Sequence, residues 1–155
     1  MIGLRETYYA ALFSKVANLQ SGGSKLFKTA ERRLRHWSDV QPEDMPYIAQ
    51  AQAGEMAVQK RGLATLWRLK VNLHIYVMTN TQGDQTAIPA QYINPLLDAV
   101  ENEALKFDDL SNNVCTLNGL VSHCWINGEI ITSEGTLGDL EVAVVPIEIF
   151  VPLHD

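Results

Sequence analysis

His123-Cys124, with Cys115 upstream, is the grouping most like a soft-metal site in this chain. Zinc sites usually carry paired ligands such as C-x-x-C or H-x-x-x-H, and neither pair occurs. Neighbours on a strand point to opposite faces, so His123 and Cys124 cannot both reach one ion without distortion. Ser21-Gly22-Gly23-Ser24-Lys25 suggests a phosphate loop, but the G-x-x-x-x-G-K-[ST] pattern that would cradle phosphates is absent. Asp98, Glu101 and Glu103 could pair as acid and base. Nothing in their surroundings marks them as buried, and they read as a solvated helix face. His74 falls on the polar side of a strand pattern and has no assignable partner for base chemistry. There is no G-x-S-x-G, H-E-x-x-H or G-x-G-x-x-G. The reading is of a protein that is not an enzyme, with no catalytic residues, no metal and no cofactor.

Charge is the feature that does point somewhere. The chain of 155 residues has a formal net charge of −6. Residues 1–80 carry 11 of the 12 Lys and Arg against six acids, net +5, and residues 81–155 carry Lys106 against 12 acids, net −11. An acidic total disfavours general nucleic-acid binding, which needs a basic surface. The split has two readings. The halves neutralise each other within one subunit, or opposite surfaces meet head to tail between copies, which closes into a ring or runs on as a filament. The basic segment is Lys25, Lys28, Arg32, Arg33, Arg35 and His36, with Phe27, Leu34 and Trp37 interleaved. It is either a solvated strand or loop with apolar anchors, or a charged surface for an acidic partner or a channel.

The elements that position these residues follow from periodicity. Trp67, Leu69, Val71, Leu73, Ile75 and Val77 alternate with Arg68, Lys70, Asn72 and His74, which is the pattern of a long strand with one apolar face. Ile2–Gln20 has apolar residues at helical spacing and is stopped by the Ser21–Ser24 glycines. Pro89–Leu105 reads as a second helix, either kinked at Pro95 or starting there with Asn94 as its cap. Pro46–Gln52 is a short strand with Ile48 inward; Gly54-Glu55 and Lys60-Arg61-Gly62 bracket a polar hairpin arm into the long strand. Thr79–Thr86 reads as a mobile polar turn. Leu117–Ser133 reads as one bulged strand and Leu140–Val151 as its return. Asn127-Gly128 competes between bulge and hairpin turn. Val142 to Val151 is apolar on both faces, as a central strand or a subunit contact would be; Pro146 marks an edge or bulge. Together these predict a single α+β domain over residues 1–155. It has a mainly antiparallel sheet, two helices packed on one face and an extended hairpin arm. No apolar run reaches the roughly 20 residues of a membrane helix, and the first residues lack a signal-peptide core. Synthesis in the cytosol with reduced, structural cysteines is expected.

Several words of the chain carry a resemblance. They are Phe27-Lys28-Thr29, the run Arg32-Arg33-Leu34-Arg35-His36-Trp37-Ser38-Asp39-Val40, Arg61-Gly62-Leu63 and Leu96-Leu97-Asp98-Ala99-Val100. The strongest is Leu117-Asn118-Gly119-Leu120-Val121-Ser122-His123-Cys124-Trp125-Ile126-Asn127-Gly128-Glu129-Ile130, leading to Glu134-Gly135 and Pro146-Ile147-Glu148-Ile149. In order and spacing the chain resembles the tail terminator (tail completion, minor tail) proteins of long-tailed bacteriophages. The resemblance implies a small α+β domain in a homo-oligomeric, hexameric ring at the head-proximal end of the virion tail. Its partners would be the tail tube protein and the head–tail connector protein, with passing contact to genomic DNA in the channel and no membrane. It transfers no catalytic residues. Charge and pattern supply the interface candidates: Lys28, Arg32, Arg33, Arg35, Lys60 and Arg61 on the basic side, Glu134 and Asp139 on the acidic side. The rival readings are another connector, neck or tube ring protein, and a nucleic-acid-binding regulator.

Overall fold

Two strands of 13 residues, β5 (Leu66–Met78) and β8 (Leu140–Pro152), lie antiparallel in the middle of the sheet. They pair without a slip from Leu66 opposite Pro152 to Met78 opposite Leu140. The structure, a computed structural model, describes residues 4–59, 62, 65–79, 86–134 and 137–152. Around the central pair run α1 (Leu4–Ala17), β1 (Gln20–Ser21), β2 (Ser24–Lys25), β3 (Thr29–Glu31), β4 (Tyr47–Val58), α2 (Ala90–Ala99), a π-helical turn (Val100–Ala104), β6 (His123–Ile126) and β7 (Ile131–Thr132). The main sheet has the order β3-β4-β5-β8-β6, with β7 also on β8; β3 is parallel to β4 and every other pair is antiparallel.

The expected alternation in β5 decides the layers. Leu69, Val71, Leu73, Ile75 and Val77 are buried in one core with Tyr9, Leu12 and Val16 of α1 and Ile93 and Leu96 of α2. Both helices thus pack on one face of an α+β fold. Burying each of these aliphatic side chains contributes about 1.5–3 kcal/mol. The opposite face is not simply wet. Tyr76 stands in line with the polar residues, but with Tyr47, Ala49 and Val40 it makes a second small core under the 37–45 loop. The Tyr47 and Tyr76 rings stack at 5.0 Å.

Three local expectations need correcting, and one open choice is decided. The glycines after α1 do more than stop the helix: Gly22 and Gly23, at φ 59° and 88°, form the tight turn of the β1–β2 hairpin. Gly54 and Glu55 lie inside β4, which is bulged between Gln52 and Gly54, and not in a connection. For the second helix the two readings are decided rather than overturned: it begins at Ala90 with Pro95 in its interior, and Asn94 is not its cap. The proline costs the bond that its N–H would have made to the carbonyl four residues back. Finally, residues 117–122 are not strand. Leu117 and Asn118 have φ of 49° and 62°, and Asp108 gathers this turn by accepting from the Thr116 amide at 2.7 Å and the Asn118 amide at 2.9 Å.

Asn127-Gly128 is a bulge. β6 ends with Ile126 opposite Ile147, and β7 resumes with Ile131 opposite Val144. Four residues therefore face two on β8. Pro146 sits there, and its carbonyl accepts from the Asn127 amide at 3.0 Å. In a strand a residue's N and C=O point to the same edge, so the hydrogen that Pro146 lacks would have faced the bulge. β8 is central, as its two apolar faces require. The Thr79–Thr86 turn falls largely outside the described residues.

Candidate interaction surface

The basic segment is an edge of the sheet and a turn folded back over it. β3 pairs only with Tyr47–Ala49, and the chain then reverses through residues 32–36 to cover the Tyr47–Tyr76 stack. Hydrogen bonds with two buried tyrosines fasten the turn. The Tyr76 hydroxyl donates to the Arg35 carbonyl at 2.6 Å. The Tyr47 hydroxyl donates to Glu31 Oε2 at 2.9 Å and also lies 3.4 Å from the Arg33 carbonyl. Burial, then the neighbouring Tyr47, push the Tyr76 hydroxyl up to about 12, so it stays a donor at neutral pH.

This geometry separates the four cations that the sequence grouped. Arg32 reaches Glu6 on α1 and Gln52 on β4, tying helix to sheet. Arg35 donates to Glu31 from Nε at 2.8 Å and Nη2 at 3.0 Å, and lies 5.4 Å from the centre of the Tyr47 ring. Burial would raise the Glu31 carboxyl, but hydrogen bonds from Arg35 and Tyr47, with the Arg35 charge, outweigh it and hold the group below its ordinary value. Arg33 and Lys28 are exposed and form no ion pair among the described residues. Arg32, Arg33 and Arg35 line one concavity of about 750 Å³ with Phe13, Leu34 and His36; Lys28 is not part of it. Lys60 and Arg61 lie outside the described residues. Asp139 accepts from the Thr79 amide at 2.7 Å through its carbonyl, and Glu134 is exposed on the same turn.

The three ion pairs seen among the described residues, Arg5–Glu55, Arg32–Glu6 and Arg35–Glu31, all lie within the basic half. Part of the acidic half lies at the β6 end of the sheet. There the π-helical turn packs beside β6, and Glu101, Asn102, Leu105, Lys106 and Phe107 enclose a cavity of about 380 Å³ with Cys124, Trp125 and Ile126. The π turn is real in its bonding: the Leu105 amide donates to the Val100 carbonyl, five residues back, at 3.0 Å. Such turns widen a helix and recur at functional sites. Sequence reasoning saw Glu101 and Glu103 only as a solvated face and missed this cavity. The interior Pro95 was a signal of irregularity, but it did not locate the π turn five residues later.

The metal-like grouping has a structural explanation. Cys124 points into the core and His123 to the other face, as alternation requires. His123 Nδ1 accepts from the Cys115 amide at 3.1 Å, and its ring stacks on Trp125 at 4.7 Å. Burial lowers the His123 pKa, and a ring nitrogen that accepts an amide hydrogen carries no proton of its own. Among the described residues no three His, Cys, Asp or Glu side chains converge as a metal site would need. Comparisons with protein-family models and with curated proteins return no match.

Proposed function

We propose that this chain is a structural subunit that assembles as a ring, caps the tube of a bacteriophage tail, ends tube polymerisation and forms the junction with the head connector. Two things support the reading: the sequence resemblance to tail terminator proteins, and the way charge is laid out on the sheet. The second carries it. The β3 flank bears Lys28, Arg32, Arg33 and Arg35, and the β6 flank bears Glu101 and its acidic neighbours. Four strand spacings separate these flanks, roughly 20 Å at about 4.8 Å each. A side chain cannot cross that distance. Arg32 and Arg35 are already satisfied by Glu6 and Glu31 on their own flank. The exposed Lys28 and Arg33 on one flank and the exposed Glu101 on the other, which form no ion pair among the described residues, are left to solvent or to a neighbouring copy. A contact between two different surfaces of the same chain is the kind that builds rings.

The test is electron microscopy of the purified protein mixed with tail tubes, with the mass in solution from light scattering. A terminator decorates one tube end and halts elongation. Indefinite stacks of the protein alone would favour a tube subunit instead, and a ring that ignores tubes would favour a connector. The nucleic-acid reading is weakened because Arg32 and Arg35 already hold carboxylates within the chain. It predicts salt-dependent binding to duplex DNA; absence of binding at low salt removes it.

A further inference from the structure

Leu34 is an apolar side chain out of place. It is 43% exposed on a turn whose other members are charged, and it follows the exposed Arg33. The turn is braced on both sides, by Arg32 on Glu6 and by Arg35 on Glu31, so it presents Arg33 and Leu34 in a fixed attitude. Pre-organisation of this kind lowers the entropy cost of binding.

On the opposite flank the cavity beside the π-helical turn is lined by Leu105, Phe107, Trp125 and Ile126, with Phe107 left 44% exposed. Its volume of about 380 Å³ lies within the usual range of ligand sites, roughly 300–1,000 Å³. Glu101 stands at its rim, exposed and without a side-chain ion pair among the described residues; Lys106 is the cation of the lining.

We propose that the Arg33–Leu34 corner of one copy docks into this cavity on the next copy, with Leu34 against Phe107 and Trp125 and Arg33 reaching Glu101. The occupant is a second copy of this chain because both halves of the contact are present once per chain, pair an exposed cation and apolar side chain (Arg33, Leu34) with an exposed acid and apolar side chain (Glu101, Phe107), and sit at opposite ends of the sheet order. The contact joins unlike surfaces, so each copy has one corner and one cavity to offer, and the series closes as a ring or continues. It specifies the ring reading above and rests on it, yet it fails separately, since a chain could cap tubes through other surfaces.

The experiment is complementation between two defective variants. One carries Arg33→Glu with Leu34→Asp and lacks the corner. The other carries Glu101→Ala with Phe107→Asp and lacks the cavity. All four positions are exposed, and circular dichroism and thermal unfolding establish that each variant folds. In light scattering the wild type should give a mass several times that of one chain, and each variant alone a monomer, an affinity loss of at least tenfold. Mixed one to one, they should give a heterodimer and nothing larger, because only one intact corner and one intact cavity remain to pair. A single chain with Arg33→Glu and Glu101→Arg should regain part of the wild-type mass, which a folding defect would not do. The contact is overturned if the wild type stays monomeric up to its solubility limit. It is equally overturned if either variant alone assembles like the wild type, or if the mixture rebuilds the full assembly. Tube-end decoration by a variant that no longer self-associates would overturn this contact while leaving the capping role standing.

Discussion

Arg35 grips Glu31 with two hydrogen bonds, and the same carboxylate accepts from the Tyr47 hydroxyl, so a charge that looked outward in the sequence turns in to hold an edge strand to its loop. Both ion-pair side chains keep about a third of their surface exposed, which limits the contribution of the pair itself. The tyrosine bond and the placement of the turn add to it.

Replacing Glu31 with Gln should therefore cost about 1–2 kcal/mol at neutral pH. The sign with pH follows from the lowered folded-state value. The carboxylate stabilises the fold above the ordinary Glu pKa, about 4.3, and that stability is lost as pH falls through the folded value. Urea unfolding of the two proteins should differ most above pH 5, and the curves should converge as the carboxylate becomes protonated. A constant difference down to pH 3 would show that the ionised pair is not the cause.

Gly128 tests the bulge. Its φ is +128°, a conformation that L side chains rarely adopt, and an added Cβ would lie 3.1 Å from Pro146 Cγ. Gly128→Ala should cost about 1–3 kcal/mol. Adding Pro146→Ala should recover the steric part and leave the backbone part, since the φ is set by the bulge. Thermal unfolding of the single and double variants measures the split. Full tolerance of alanine would mean that β6 and β7 join differently.

How far the sequence foretells this protein depends on what each residue answers to. The long strand was legible because Trp67 to Val77 obey one rule, alternation against a single core. Asn127-Gly128 was half legible: glycine announced an unusual φ, but only the register on β8 distinguishes bulge from turn. Leu117–Ser122 misled because its apolar residues suit a strand, while Asp108 recruits the same backbone amides into a turn. The candidate surface was least legible. Arg32, Arg33 and Arg35 are equivalent by charge, and their partners Glu6 and Glu31 lie 26 and four residues away. Tyr76 was readable in principle, an aromatic residue in the polar register of β5 that needed a cover.

Glu141 offers a prediction of opposite sign. It is 1% exposed at the end of β8, and neither carboxylate oxygen has a hydrogen-bond partner among the described residues. Burial, then the neighbouring Glu134, raise its pKa. A raised carboxyl binds its proton more tightly in the folded state, so ionising it costs stability as pH climbs above the unfolded value, about 4.3. Glu141→Gln should stabilise the protein at pH 7 to 8 and lose that advantage near pH 4. Melting temperatures across this range decide it, and a variant less stable than wild type at pH 8 would mean that the ionised carboxylate is held by a favourable partner.

The final prediction separates two neighbouring arginines. Arg32 spends its charge inside the chain, joining Glu6 of α1 to Gln52 of β4, so Arg32→Ala should lower stability by about 0.5–1.5 kcal/mol. Arg33 is exposed and forms no ion pair among the described residues, so Arg33→Glu should change stability by no more than about 0.5 kcal/mol. In assembly the order should reverse. On the proposed contact, Arg33→Glu turns an attraction to Glu101 into a repulsion, whereas Arg32→Ala removes one brace of the corner and leaves the other, Arg35 on Glu31, in place. Chemical denaturation and light scattering on the same two samples give both readouts. If Arg32→Ala abolishes assembly in a fully folded protein while Arg33→Glu assembles normally, the outward surface of the basic segment has been assigned to the wrong arginine.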